Sequence, residues 1–93
     1  MKGVSFQDFV KEVLKKAQYK KGKDVQCIVA VAPNLPGCMT QGDSIEEARD
    51  NLMDAIQLWI TSALSDGEKI PAVNGCELMV AKQGRTRKRL AHA

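Results

Sequence analysis

The sequence has 93 residues, enough for one hydrophobic core and too few for two. An apolar fraction of 44% and a charged fraction of 27% exclude the low-hydrophobicity, high-charge composition of a disordered chain. The longest uncharged stretch, residues 25–42, reaches membrane-spanning length but holds Pro33, Asn34, Pro36, Gly37, Thr40 and Gln41, which excludes a transmembrane helix.

Near the N-terminus, Asp8, Lys11, Glu12, Lys15 and Lys16 interrupt every apolar run, so no signal-peptide core is present and a cytoplasmic protein is expected. Cys27, Cys38 and Cys76 are odd in number and form no C-x-x-C pair, which argues against a disulfide framework and a zinc site. They read as small reduced apolar residues. The net charge of +3 is unevenly distributed. Residues 1–23 carry seven lysines against Asp8 and Glu12, giving +5. Residues 24–77 set Arg49 and Lys69 against nine carboxylates, giving −7, and residues 78–93 carry Lys82, Arg85, Arg87, Lys88 and Arg89 without an acid, giving +5. An acidic centre with basic ends suits a basic protein at the middle and a polyanion at the tail; the same distribution also keeps a small domain soluble.

Ser5 followed by Asp8 resembles a capping box, with Val4 placed to staple onto Phe9. Phe6, Phe9, Val10, Val13, Leu14 and Ala17 then recur at three- and four-residue spacing, which predicts a helix over 5–17. Residues 25–32, VQCIVAVA, predict a strand rich in β-branched residues. Both of its faces are mostly apolar, so it is expected to be covered on both sides. Gly22 is a pivot for a hairpin that would pair a short strand around Tyr19 with this one. Pro33 to Gly37 is a turn, because two prolines and a glycine do not continue a central strand, and Cys38 to Gln41 returns as a third antiparallel strand.

Ser44 and Glu47 form a second and better capping box. Asp43, Glu46, Glu47 and Asp50 place negative charge at the positive end of the helix dipole. The apolar set Ile45, Ala48, Leu52, Ala55, Ile56, Trp59, Ile60, Ala63 and Leu64 keeps helical period over about six turns, and Gly67 supplies a left-handed cap. Trp59, inside that stripe, reads as a core residue. Glu77 to Ala81 predicts a last strand, followed by a basic tail without a core pattern.

The run from Ala32 to Ala48, APNLPGCMTQGDSIEEA, followed by Asn51-Leu52, Ala55-Ile56 and Asp66-Gly67-Glu68-Lys69-Ile70-Pro71, resembles the HicB-like family. The shared pattern is P-x-L-P-G-C-x-T-x-G-D-[ST]-x-E-E-A, a helix, and then D-G-E-x-x-P, and the resemblance covers residues 18–81. It implies an α+β domain, β-β-β-α-β, in which an antiparallel sheet packs on one long helix, an incomplete relative of the RNase H fold also compared with double-stranded-RNA-binding domains. With the added helix, the expected organisation is an N-terminal helix over 1–17, a HicB-like domain over 18–81 and a basic tail over 82–93. The resemblance further implies an antitoxin of a type II toxin–antitoxin pair, covering a small basic HicA-like mRNA interferase. An acidic middle suits such a partner, because its carboxylates can stand in for phosphates. Two features depart from the family. Too few residues follow the last strand for a helix-turn-helix, and the chain has a helix where many members begin in the first strand.

Pro33, Leu35, Pro36, Gly37, Cys38 and Gly42 carry the motif; a register-fixing turn needs the same residues as a recognition loop, and the structural role is favoured. Partner-binding candidates are Asn34, Asp43, Glu46, Glu47 and Asp50. A metal site built from Asp43, Glu46, Glu47, Asp50 and Asp54 is disfavoured, because two-metal nucleases gather carboxylates from several elements and these lie at one helix start. His92, the only histidine, lies past the arginines with nothing to orient it for acid–base work. No nucleophile–base set or phosphate loop is present, so neither catalysis nor a cofactor is expected. Lys82, Arg85, Arg87, Lys88 and Arg89 are candidates for charge-only contact with RNA or DNA, the alternative function of a stand-alone module. Without interleaved aromatics they offer no stacking platform. A homodimer or homotetramer is expected, since a small sheet with one main helix leaves an open strand edge.

Overall fold

The computed structural model describes residues 2–22 and 26–79. In chain order the elements are β1 (Lys2–Val4), α1 (Phe6–Lys15), β2 (Gln18–Lys21), β3 (Ile28–Val31), β4 (Met39–Gly42), α2 (Ile45–Ser65) and β5 (Cys76–Leu78). β2, β3 and β4 form an antiparallel sheet in sequence order, and the long α2 lies across it. This is the α+β organisation that the sequence predicts. The structure adds β1, which pairs in parallel with β5 as a separate two-stranded ribbon, Lys2 opposite Cys76 and Val4 opposite Leu78.

Ser5 caps α1, its Oγ accepting from the Asp8 N–H at 3.2 Å. Phe9, Val10, Val13 and Leu14 are buried, and the helix packs against α2 and β5. These four side chains belong to the same core as Leu52, Ile56 and Ile60 of α2, so α1 is built into the domain. β2 pairs with β3 from Gln18 opposite Val31 to Lys21 opposite Ile28, and the Gly22 N–H donates to the Cys27 carbonyl at 2.8 Å, as the expected hairpin requires.

β3 departs from expectation on one face. Ala30 and the following Ala32 are fully buried beneath α2, while Val29 and Val31 on the opposite face are only half-buried, because no layer of this chain lies against them among the described residues. The turn that follows is closed by its own backbone. The Leu35 N–H donates to the Ala32 carbonyl, the Cys38 N–H to the Leu35 carbonyl, and the Ala32 N–H to the Cys38 carbonyl, all at 2.9–3.0 Å. Leu35 is buried, and the Trp59 Nε1–H donates to the Pro36 carbonyl at 2.9 Å, which ties the turn to α2. The motif residues of this turn are therefore occupied structurally.

Gly42 ends β4 where the backbone meets the first turn of α2. A Cβ there would lie 2.6 Å from the Ala48 N and 2.9 Å from the Glu47 carbonyl carbon, so only glycine fits. The Ser44 Oγ accepts from the Glu47 N–H at 3.0 Å, and Glu47 Oε1 accepts from the Asp43 N–H, a reciprocal capping box. At the other end Gly67 adopts φ 73°; the Glu68 N–H reaches the Ala63 carbonyl at 2.8 Å and the Gly67 N–H the Leu64 carbonyl at 3.1 Å, a Schellman closure. Asn74 and Gly75, with φ 55° and 73°, form a two-residue turn between Val73 and Cys76, the backbone that a type I′ turn needs. The Asn74 Nδ2 donates to both the Glu12 carbonyl (3.1 Å) and Glu12 Oε1 (3.0 Å), joining this turn to α1.

Two outcomes follow. Gly42→Ala should cost about 1–3 kcal/mol in urea unfolding, because the clash is with backbone that has nowhere to go. The hydrogen bond from Lys15, and then that from Asn74, hold the Glu12 carboxyl below its ordinary value. Its contribution to stability is thus complete above the unfolded-state value and lost as pH falls through the lowered one. A titration of the Glu12 side chain followed by NMR should show the depression, reduced in Asn74→Ala and reduced further in Lys15→Ala.

Candidate functional site

α2 carries the densest charge of the acidic segment. Glu46, Asp50 and Asp54 lie at successive four-residue intervals and so form one row along the helix, each exposed. Asp43, also exposed, precedes the N-cap. Among the described residues the only ion pair is Lys15 with Glu12, so this row has no cationic partner there. Like charges four residues apart on a helix destabilise it by about 0.2–0.5 kcal/mol a pair, a repulsion that a bound cationic surface would relieve. Glu47 differs from its neighbours, because its carboxylate is engaged by the Asp43 N–H.

The candidates singled out in the sequence do not converge on one place. Asp43, Glu46 and Asp50 gather at the start of α2, whereas Asn34 stands exposed in the turn at the opposite end of β4. Four strand residues separate the two ends by about 13 Å. Asp54, grouped with these carboxylates in the sequence only for a disfavoured metal site, continues their row along α2 at the 46/50/54 spacing. Among the described residues no three His, Cys, Asp or Glu side chains are placed to hold a metal ion. Cys38 is buried, and burial pushes its thiol up, which keeps it in the unreactive protonated form. Lys82, Arg85, Arg87, Lys88, Arg89 and His92 lie outside the described residues.

A second feature joins two segments far apart in sequence. The turn residues Pro36 to Met39 and the stretch from Asp66 to Pro71 border a groove of about 640 Å³, whose floor includes Trp59 and whose wall includes Leu58 of α2. Both bordering segments belong to the sequence pattern noted above, so that pattern describes the rim of one groove as well as a turn. Leu58 is 70% exposed and Met39 58% exposed, leaving the wall apolar and open. No helix among the described residues is long and apolar enough to cross a membrane.

Comparison with known proteins agrees with this architecture. A UPF0150 protein of Thermoplasma acidophilum is 43% identical over 60 residues, covering 64% of this chain and 86% of that protein. A UPF0150 protein of Synechocystis is 43% identical over 42 residues, covering 45% of this chain and 53% of that one. The crystal structure of TTHA0281 from Thermus thermophilus superposes with a TM-score of 0.74 at 27% identity, covering 81% of this chain and 93% of that one. The model of the UPF0150-like family matches residues 8–71, from within α1 to the proline that ends the groove rim, and the chain belongs to that family.

Proposed function

We propose that this protein is a non-enzymatic, cytoplasmic HicB-like antitoxin that binds and neutralises a small basic HicA-like mRNA interferase. The observation that carries the reading is the exposed carboxylate row Glu46, Asp50 and Asp54 with Asp43, unpaired among the described residues, on a domain whose motif resembles the HicB-like family. A toxin that grips RNA presents cations spaced for phosphates, and a helix face bearing carboxylates every four residues competes for them. Complementary fields also speed the encounter, so association should slow as salt rises.

Coexpression with a HicA-like toxin should restore growth, and the purified pair should bind with an association rate that falls with ionic strength. Glu46→Lys combined with Asp50→Lys should weaken binding by about ten-fold or more at low salt, most of it in the association rate. Thermal unfolding should fall by only a few degrees, the loss of favourable charge at the start of α2, since both positions are exposed. Absence of both rescue and binding would reject the antitoxin role.

The five cations of residues 82–93 support a second reading, a stand-alone module whose tail contacts RNA or DNA. Nucleic-acid retention in a gel shift should then vanish on deleting residues 82–93 and weaken steeply with salt. Retention unaffected by the deletion would reject it.

A further inference from the structure

A second groove, of about 440 Å³, lies between α1 and α2. Phe6, at the start of α1, is beside Thr61, Leu64 and Ser65 near the end of α2, so the two helices run in opposite directions. Val10 and Leu14 of α1 and the half-buried Met53 of α2 form the apolar floor, and Arg49 lies at the end that Leu14 approaches. The lining stretches 6–14 and 49–57 each rise about 12 Å, a little over two helical turns. All four buried residues of α1 belong to the same core as α2, so the groove is part of the packed domain.

Its two lips differ in charge. On α1 the lip is Gln7 and Lys11, both exposed. On α2 the lining residues Arg49, Met53 and Gln57 each stand three positions after a member of the carboxylate row, Glu46, Asp50 and Asp54 in turn. Residues three apart on a helix are neighbours, so the acidic row runs along the outside of this groove for its whole length. The carboxylates and the apolar floor are thus one continuous surface.

We infer that the groove receives an amphipathic helix of the partner protein, with apolar residues down against Val10, Leu14 and Met53 and lysine or arginine along the edge that meets Asp50 and Asp54. The inference rests on the antitoxin reading for the partner's identity and adds to it the contact that retains the partner. Both walls are helices, whose interior N–H and C=O groups are already paired, so an extended segment laid between them would leave its own groups unsatisfied. A helix carries its hydrogen bonds internally and packs on both walls at about 8–10 Å between axes. Two turns present anchors at i, i+3 or i+4 and i+7, which suits the length of the floor. Lys11 on the opposite lip and Arg49 at the end repel a basic edge placed there, so the helix seats in one orientation. In this division of labour the carboxylates set the rate of encounter and the apolar floor sets the lifetime of the complex.

Binding kinetics of the full chain with a purified HicA-like toxin test this. Gln7→Trp, which fills the groove from an exposed lip position, and Met53→Ser, which removes part of the floor, should each raise the dissociation rate about ten-fold and leave the association rate within about two-fold. A photo-crosslinker in place of Gln7 and another in place of Gln57 should both mark a single stretch of about ten toxin residues. If Met53→Ser loses its circular dichroism signal, Gln7→Trp decides alone, being an exposed position. A toxin that binds wild type and both variants alike, or crosslinks to two separate toxin segments, would overturn the inference and leave the antitoxin reading standing. Altered sedimentation of Gln7→Trp by itself, with toxin binding unchanged, would assign the groove to a second copy and overturn the inference likewise. A toxin that does not bind the wild type would reject the reading and the inference together.

Discussion

The contact between Gly42 and the first turn of α2 sets much of what the rest of the molecule does. With no side chain at residue 42, the end of β4 comes directly against the Ala48 amide, and the capping box then fixes where the helix starts and in which direction it runs. A helix launched that close to β4 lies over β4, with its far half held by the bond from Trp59 to the Pro36 carbonyl. Two short-range contacts, one near each end of a 21-residue helix, thus orient a rod about 31 Å long. The groove, the overhanging Leu58 and the outward carboxylate row are all consequences of that placement.

The same helix divides its faces by chemistry. Ala48, Leu52, Ile56, Ile60 and Ala63 are buried and account for its hold on the sheet and α1. Rotating away from them brings the flank of Ala55, Leu58 and Ser62 and then the acidic row, which adjoins that flank where Asp54 precedes Leu58 by one turn. On the opposite side of the sheet, Val29 and Val31 remain half-buried beside Met39, an apolar centre with Gln18, Lys20 and Gln41 around it.

Much of this was legible in the sequence, and the parts that were not have physical reasons. Local chemistry predicted both caps, the Gly67 closure and the turn at Pro33 to Gly37, since each depends on residues only a few positions apart. The bounds of α1 shifted by a residue or two because Ser5 is the cap and lies outside the helix proper. β1 was invisible: Lys-Gly-Val has no period, and its pairing partner is at the far end of the domain. The two-sided apolar pattern of β3 predicted burial of both faces, and periodicity cannot say whether the second cover comes from the same chain. At the candidate site, Asp43, Glu46 and Asp50 were read from their place at a helix start, while the groove was hidden because it is the meeting of two motif segments separated by all of α2.

The ribbon of β1 and β5 brings together the first and last strands, with α1 and the type I′ turn locked to each other through Asn74 and Glu12. Such a pairing has the longest loop to close in the domain, and the entropy of that closure is met only after the intervening sheet and α2 are in place. The ribbon is therefore a late event in folding and an early one in opening, a seam along which the domain loosens before its core does. A protease acting on the native protein would find β5 first, while α1, whose Phe9 and Val13 are buried in the shared core, stays with the sheet and α2.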